Sequence, residues 1–425
     1  MKNVRRILSL LLCLAVLSST LMLSSCMYLL SGERDSDYVT RAELEQMLDG
    51  ALSGDVTVEG GDNYDITIEG ADRTIAAASK SLLSAVSVIC SFEVASTGFG
   101  STQTTQAYSA GSGVIYKLDK EQGDAYVITN YHVVYNHQAM TSNKISDNIS
   151  LYLYGMENAK YAIPATYVGG SMQYDLAVLK IDDKRILAES NAMAATFADS
   201  NDVAVLDTAI AVGNPESEGI SATVGYVNVD SEYVTLNFTE TTGSTEVELR
   251  VMRIDTAVNS GNSGGGLYNS VGELIGIVNA KMTDSENIGY AIPSNIVKYV
   301  AENILYYCDG KTAETPYRAL VGITVTADES YTAVDTETGS IHKREDVIVD
   351  SVSAGAVAEG TLQKGDIIKE ITIDGTAYEV TRMFHVVDSM LNARAGSEVS
   401  FKILREGVET SVSLTIPEGA LTKWR

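Results

Sequence analysis

The sequence predicts a mainly β protein: a large barrel or sandwich domain followed by a smaller β-rich domain. Three observations predict it. From about residue 74 to 308, short β-favouring runs are separated by turns marked with glycine and asparagine. No helical periodicity alternates with those runs, which argues against a parallel α/β sheet. After a polar linker at 309–316, ending in Pro316, a second set of short runs fills 317–417. With 425 residues, 45% hydrophobic and 20% charged, the chain can bury the cores of two or three domains.

In chain order, Lys2, Arg5 and Arg6 precede a run without charge from Ile7 to Leu30, the pattern of an export signal over 1–25. Within it Leu23-Ser24-Ser25-Cys26 resembles the cleavage motif of bacterial lipoproteins, which makes Cys26 the expected lipidated first residue. The uncharged run also exceeds the roughly 20 residues that span a bilayer, so a signal anchor is the alternative. Either one leaves the rest of the chain outside the cytoplasm, held at the outer face of the cell membrane. Residues 26–73 read as a tether. Thr40 can cap a short helix carrying Leu44, Met47, Leu48 and Leu52, and a repeat at 56–62 and 66–72 predicts a β-hairpin.

In the large domain, strands are expected at 113–116, 125–129, 149–154, 176–181, 208–212, 247–250 and 274–278. Residues 95–110, rich in Ser, Thr and Gln, are expected to form a long loop. A helix over 294–308, with Ser294 as N-cap, closes the domain. In the smaller domain, strands are expected near 320–326, 346–353, 367–373, 399–404 and 410–415, and a helix near 383–393. Residues 327–345 read as a loop and 418–425 as a tail.

The formal charge of −26 argues against a nucleic-acid partner, which needs a basic face. Besides Cys26, the exported chain keeps only Cys90 and Cys308. That is too few for a disulfide framework, and both are expected as buried free thiols. No Cys/His set suits a metal, and no cofactor is called for.

One constellation carries chemistry. In Gly261-Asn262-Ser263-Gly264-Gly265-Gly266 a serine is flanked by glycines. Serine is a weak nucleophile at its free pKa and needs a base, together with donors for the oxyanion it creates. Glycines let the amides of Gly261 and Ser263 converge and keep side chains away from a carbonyl. The same hexapeptide could be a plain glycine turn. The base narrows the choice. His342 and His385 lie in the smaller domain and His137 in a polar segment. His132, in Thr129-Asn130-Tyr131-His132-Val133-Val134, follows an apolar strand. Asp175 leads straight into the strand 176–181, where a carboxylate needs a partner, whereas Asp182 and Asp183 read as exposed turn residues. The order His132, Asp175, Ser263 is that of the chymotrypsin-type triad.

These segments, with Tyr174-Asp175-Leu176-Ala177-Val178-Leu179-Lys180 and Gly261-Asn262-Ser263-Gly264-Gly265-Gly266-Leu267, resemble the HtrA/Deg serine proteases. So do Ala211-Val212-Gly213-Asn214-Pro215, Ile254-Asp255-Thr256-Ala257-Val258-Asn259 and Gly289-Tyr290-Ala291-Ile292-Pro293-Ser294-Asn295. The resemblance covers roughly 74–417. It implies a chymotrypsin-like double β-barrel at 74–308, a PDZ domain at 317–417, and assembly as homotrimers. It also implies a substrate pocket near Ala257, Ile277, Asn279 and Ala280. Leu320-Val321-Gly322-Ile323 is similar to the loop whose backbone amides hold a peptide C-terminal carboxylate. With no acidic residue at Ala257, a small or medium apolar side chain is the expected preference, and unfolded proteins are the expected substrates.

Two departures stand out. The family usually has Asn where Tyr131 stands and Pro where Gly266 stands, and Gly266 is expected to loosen the loop after Ser263. An alternative therefore stays open: a PDZ-based chaperone or peptide sensor whose protease domain is silent or rarely activated.

Overall fold

A computed structural model of the chain describes residues 55–60, 64–69, 73–98, 101–182, 184–279, 288–308, 316–336 and 338–423. The expected export signal, Cys26, the helix expected at 40–52, Asp183, Ala280 and the expected linker up to residue 315 lie outside them. All described residues fall within one unit, Leu48–Arg425.

The repeat forms a hairpin of β1 (Asp55–Gly60) and β2 (Tyr64–Glu69). Its register sets Val56 opposite Ile68 and Val58 opposite Ile66. A helix that the sequence reading did not anticipate, α1 (Arg73–Leu82), leads into the first barrel.

That barrel is built from β3 (Ala85–Gly98), β4 (Ser101–Asp119), β5 (Asp124–Thr129), β6 (Asn148–Leu153), β7 (Ile163–Ser171) and β8 (Leu176–Ile181), with the short helix α2 (Tyr131–Val134) after β5. It closes in the order β3-β4-β5-β8-β7-β6. Closure removes sheet edges and lets inward side chains fill the interior. In β8 every residue except Lys180 is buried. After a helical turn α3 (Arg185–Glu189), the second barrel takes β9 (Thr208–Gly213), β10 (Ser221–Glu240), β11 (Gly243–Ile254), β12 (Gly266–Tyr268), β13 (Leu274–Asn279) and β14 (Gly289–Pro293). It closes in the order β10-β11-β14-β13-β12-β9. Helix α4 (Ser294–Cys308) ends the domain over the expected residues, and Ser294 Oγ donates to Ala198 O (2.8 Å).

The smaller domain follows. β15 (Tyr317–Ala319) pairs with the terminal β22 (Leu421–Lys423). Between them, β16 (Ile323–Val334), β17 (Ile341–Val352), β18 (Ile367–Ile373), β20 (Glu398–Arg405) and β21 (Val408–Thr415) form one sheet in that order. β19 (Thr376–Glu379) pairs with β18, and α5 (Met383–Ser389) follows it. Val399, Phe401 and Ile403 alternate inward along β20, the period-2 pattern of a half-buried strand. β16 is an edge strand.

Two expected loops are ladders instead. The β3–β4 ladder runs on to Gly98 opposite Ser101, so the described residues of 95–110 are strand. The β16–β17 ladder covers most of 327–345, up to Val334 opposite Ile341. Both are arms that project beyond a sheet. In the β16–β17 arm the mostly exposed residues give no apolar alternation to read, and register is inherited from the buried end of the same strands. Cys90 and Cys308 are buried free thiols, as expected, and burial pushes the Cys90 thiol up to about 12, which makes it inert.

Candidate active site

His132 is the second residue of α2, which is pinned by buried Val133 and Val134. Asp175 sits at the turn before β8 with φ +48, a conformation rare for a non-glycine residue, and is fully buried. The two are brought together across 43 residues. His132 N–H donates to Asp175 Oδ1 (2.9 Å), and His132 Nδ1 lies 2.7 Å from Asp175 Oδ2. A carboxylate only accepts, so the proton belongs on Nδ1 and Nε2 is the acceptor. Asn130 Nδ2 donates to the Asp175 carbonyl (2.8 Å), fixing the turn. A third donor reaches the carboxylate: Asn279 Nδ2 lies 2.8 Å from Oδ2, and Asn279 is itself fully buried.

The serine loop is held from the first barrel. Ser112 N–H donates to Ser263 O (2.8 Å), and Ser112 Oγ donates to Gly261 O (2.7 Å). The same hydroxyl accepts from Asn214 N–H (2.8 Å). Gly261 has φ +98 and Gly264 φ +85. A Cβ on Gly261 would collide with Asn214 O, and one on Gly264 with Ser112 O, so both positions demand glycine. The amides of Asn262, Gly264 and Gly265 are bonded within the loop or to β13: Asn262 to Asn259 O (3.0 Å), Gly264 to Val278 O (2.9 Å), Gly265 to Asn262 O (2.9 Å). Gly266 is not loose, contrary to expectation. It pairs with Val212 on one side and Ile277 on the other, and a side chain there would collide with the ring of Tyr268. Tyr268 is fully buried, its hydroxyl 2.8 Å from Ser84 Oγ.

Of the expected pocket residues, the described ones, Ala257, Ile277 and Asn279, do not share one surface. Ala257 is exposed, its carbonyl accepting from Thr223 Oγ1 (3.1 Å). Ile277 is buried in the barrel core between Gly266 and Ile292, where an apolar strand residue goes when both neighbours are paired. Asn279 faces Asp175. In the smaller domain, Leu320 is exposed, Val321 is buried and Ile323 opens the edge strand β16. Gly322 has φ +79, and a side chain there would strike Ala356. Ser353 N–H donates to Gly322 O (2.8 Å) and Ala358 N–H to Val321 O (3.0 Å), so the loop is fixed from behind. His137 lends its carbonyl to Thr241 Oγ1 (3.4 Å), and His342 lies on β17. His385 is buried on α5, and its Nδ1 accepts from Thr381 N–H (3.2 Å).

The two domains meet through charge. Arg250 Nη2 of β11 lies 2.6 Å from Asp388 Oδ2 of α5, with its guanidinium 3.9 Å from the Phe384 ring centroid. Arg382 Nη1 bonds Asp230 Oδ2 (2.9 Å). Burial pushes the Asp388 carboxyl up, and Arg250 pulls the other way.

Ser112, Asn130, Asn214 and Asn279 carry the site without having been singled out for these tasks. The signal for Ser112 was its place between Gly111 and Gly113 at the head of an apolar strand, where small residues permit close approach: a Cβ at Gly111 would lie 2.9 Å from Ser263 O. Among the described residues, no group of His, Cys, Asp or Glu side chains could hold a metal ion, and no helix is long and apolar enough to cross a membrane.

Residues 111–277, which span His132, Asp175 and Ser263, match the family model of the trypsin-like peptidase domain. The chain is 33% identical over 329 residues to the serine protease Do-like HtrA of Bacillus subtilis (strain 168), covering 75% of this chain and 65% of that one. It is 35% identical over 289 residues to the serine protease Do-like HtrA of Lactococcus lactis subsp. lactis (strain IL1403), covering 64% and 62%. The chain thus spans just under two thirds of these relatives' lengths. A solved structure, the HtrA-type protease AlgW with tripeptide, is 25% identical and covers 82% of this chain and 97% of that one, with a TM-score of 0.48. Two closed barrels, a smaller β domain and this sequence kinship lead to one conclusion: the chain carries a trypsin-like peptidase domain and is similar to the HtrA/Deg serine proteases.

Proposed function

We propose that the chain is an extracytoplasmic serine endopeptidase that cleaves unfolded or misfolded proteins. One observation carries the reading: the buried Asp175 carboxylate grips both the main-chain N–H and Nδ1 of His132, leaving Nε2 as the base. Ser263 Oγ attacks the peptide carbonyl carbon as its proton passes to His132 Nε2. The oxyanion is held by the amides of Gly261 and Ser263, on the loop that Ser112 clamps. His132 then gives the proton to the leaving amine, and the C–N bond breaks to leave an acyl-enzyme. Water, deprotonated by His132, releases the acid. Asp175 orients the imidazole and stabilises its charged form.

The smaller domain binds peptide C-termini. The carboxylate meets amides of the Leu320–Ile323 loop, and the peptide adds as a strand to the open edge of β16, beside α5. The export signal and Cys26 anchor the protein to the outer face of the cell membrane, and three copies assemble. The test is cleavage of unfolded casein together with labelling by a fluorophosphonate. Wild type is expected to cleave and to be labelled at Ser263, and Ser263→Ala to do neither. A wild-type protein that binds C-terminal peptides but is never labelled would instead be a peptide sensor.

A further inference from the structure

The hairpin of β10 and β11 does more than close its own barrel. Leu236, Phe238, Val247 and Leu249 on this arm are buried in the core that includes the first barrel, apart from the second barrel's cluster around Met252 and Leu267. The arm's tip is tied to the segment that follows His132. Tyr135 Oη donates to Thr239 O (3.2 Å) and Thr241 Oγ1 to His137 O (3.4 Å). At the centre, Phe238 meets Tyr131 edge to face, with ring centroids 6.3 Å apart at 71°. Tyr131 in turn stacks on Tyr135 at 5.3 Å and 26°. Tyr131 directly precedes His132, and Tyr135 follows it by three.

We infer that Phe238 is a positioning residue for His132, acting through Tyr131 from the opposite barrel. Helix α2 is four residues long and has no side-chain cap bond, so it has no stability of its own. Asp175 fixes the imidazole relative to the first barrel. Ser263, however, lies on a loop of the second barrel, and the two must stay in register. The arm supplies that register. It leaves the second barrel, packs on the first, and presses an aromatic ring against the residue beside the base. Tyr131, where the family usually has asparagine, supplies the opposing ring. Gly170 makes room for it: a Cβ there would lie 2.9 Å from Tyr131 Cδ2.

This inference rests on reading His132 as the base, and its test separates the two. Two quantities are read on the full chain: the rate of fluorophosphonate labelling of Ser263 from pH 5 to 9, and the low-field proton NMR signal of His132 Nδ1–H. Phe238→Ala is expected to be labelled about 10- to 100-fold more slowly, the cost of a roughly 1 Å misplacement, with the Nδ1–H signal shifted or broadened. Leu236→Ala, which also removes a buried side chain from the arm, is expected to keep the wild-type rate and signal. Wild-type rate and signal in Phe238→Ala overturn the inference, as do equal losses in both variants. If the wild type itself is not labelled, the proposed activity falls, and an unchanged Nδ1–H signal in Phe238→Ala overturns the positioning role independently. If Phe238→Ala does not fold, Tyr131→Asn removes the facing ring while leaving the arm filled, and is read by the same two outcomes.

Discussion

Replacing Asn279 by alanine removes one of three hydrogen bonds on the Asp175 carboxylate. The bond is 2.8 Å long and both residues are fully buried, so water does not replace the lost donor easily. A hydrogen bond to a charged acceptor contributes about 1.5–3 kcal/mol. Asp175 matters most when His132 carries its extra proton, so most of that energy is expected in the transition state. At 1.36 kcal/mol per tenfold, kcat should fall by about 10- to 100-fold. The assay is kcat and KM on an internally quenched peptide, with thermal unfolding measured alongside. The split between the two constants is diagnostic, because Asn279 was also expected to line the substrate pocket. A pocket role predicts a changed KM or cleavage preference with kcat intact. That outcome would refute the role assigned to Asn279 at Asp175. Asn279→Asp should be worse than alanine, since it sets a second carboxylate against the first without solvent between them.

Other consequences follow from the same geometry. Gly261→Ala forces a methyl group against Asn214 O at φ +98, and labelling of Ser263 should drop by about 100-fold or more as the oxyanion donors are displaced. Gly322→Ala should abolish binding of C-terminal peptides, measured by fluorescence anisotropy, while labelling of Ser263 by a small reagent persists. Arg250→Ala removes the 2.6 Å partner of the buried Asp388 carboxylate and should cost about 3–5 kcal/mol in urea unfolding, partly recovered in the double variant with Asp388→Ala. Burial pushes the His385 pKa down to about 3, with Arg250 and Arg382 adding to it, so the folded protein keeps this imidazole neutral. The unfolded chain takes up a proton below about 6.5, so the stabilisation is intact above that pH and drains away toward 3. About 2 kcal/mol should be gone at pH 5, and His385→Gln should flatten the profile. Burial opposes ionisation of Asp366, yet Arg405 at 2.7 Å holds its carboxyl below the ordinary value, so its contribution is lost only at more acid pH.

The elements legible in the sequence were those whose side chains meet a one-sided environment. β8, β18 and α4 fell where their apolar runs ended, because burial writes a period of two, a solid run or a helical stripe into the residues. The projecting ends of β3–β4 and β16–β17 look like loops in the sequence, because an arm exposed to solvent carries no such signature. Helix α1 was missed at the boundary of the tether. In the site, His132, Asp175 and Ser263 could be named from residue type and order. The departure at Gly266 was misjudged, because the ring that occupies its side-chain space, Tyr268, lies two residues on along the same strand.

By itself the sequence determined the chemistry on offer: a serine between glycines, a histidine after a strand and a carboxylate before one, in an acidic, mainly β chain. Residue type and local pattern suffice for that, since nucleophile, base and turn are properties of short segments. Only the tertiary structure decided what holds these groups in place. Ser112 clamps the serine loop from the other barrel, Asn279 turns from the pocket to Asp175, and Phe238 reaches across to the helix of His132. Those contacts join residues 104 to 151 positions apart in the chain, and no local pattern records a distance that only barrel closure sets.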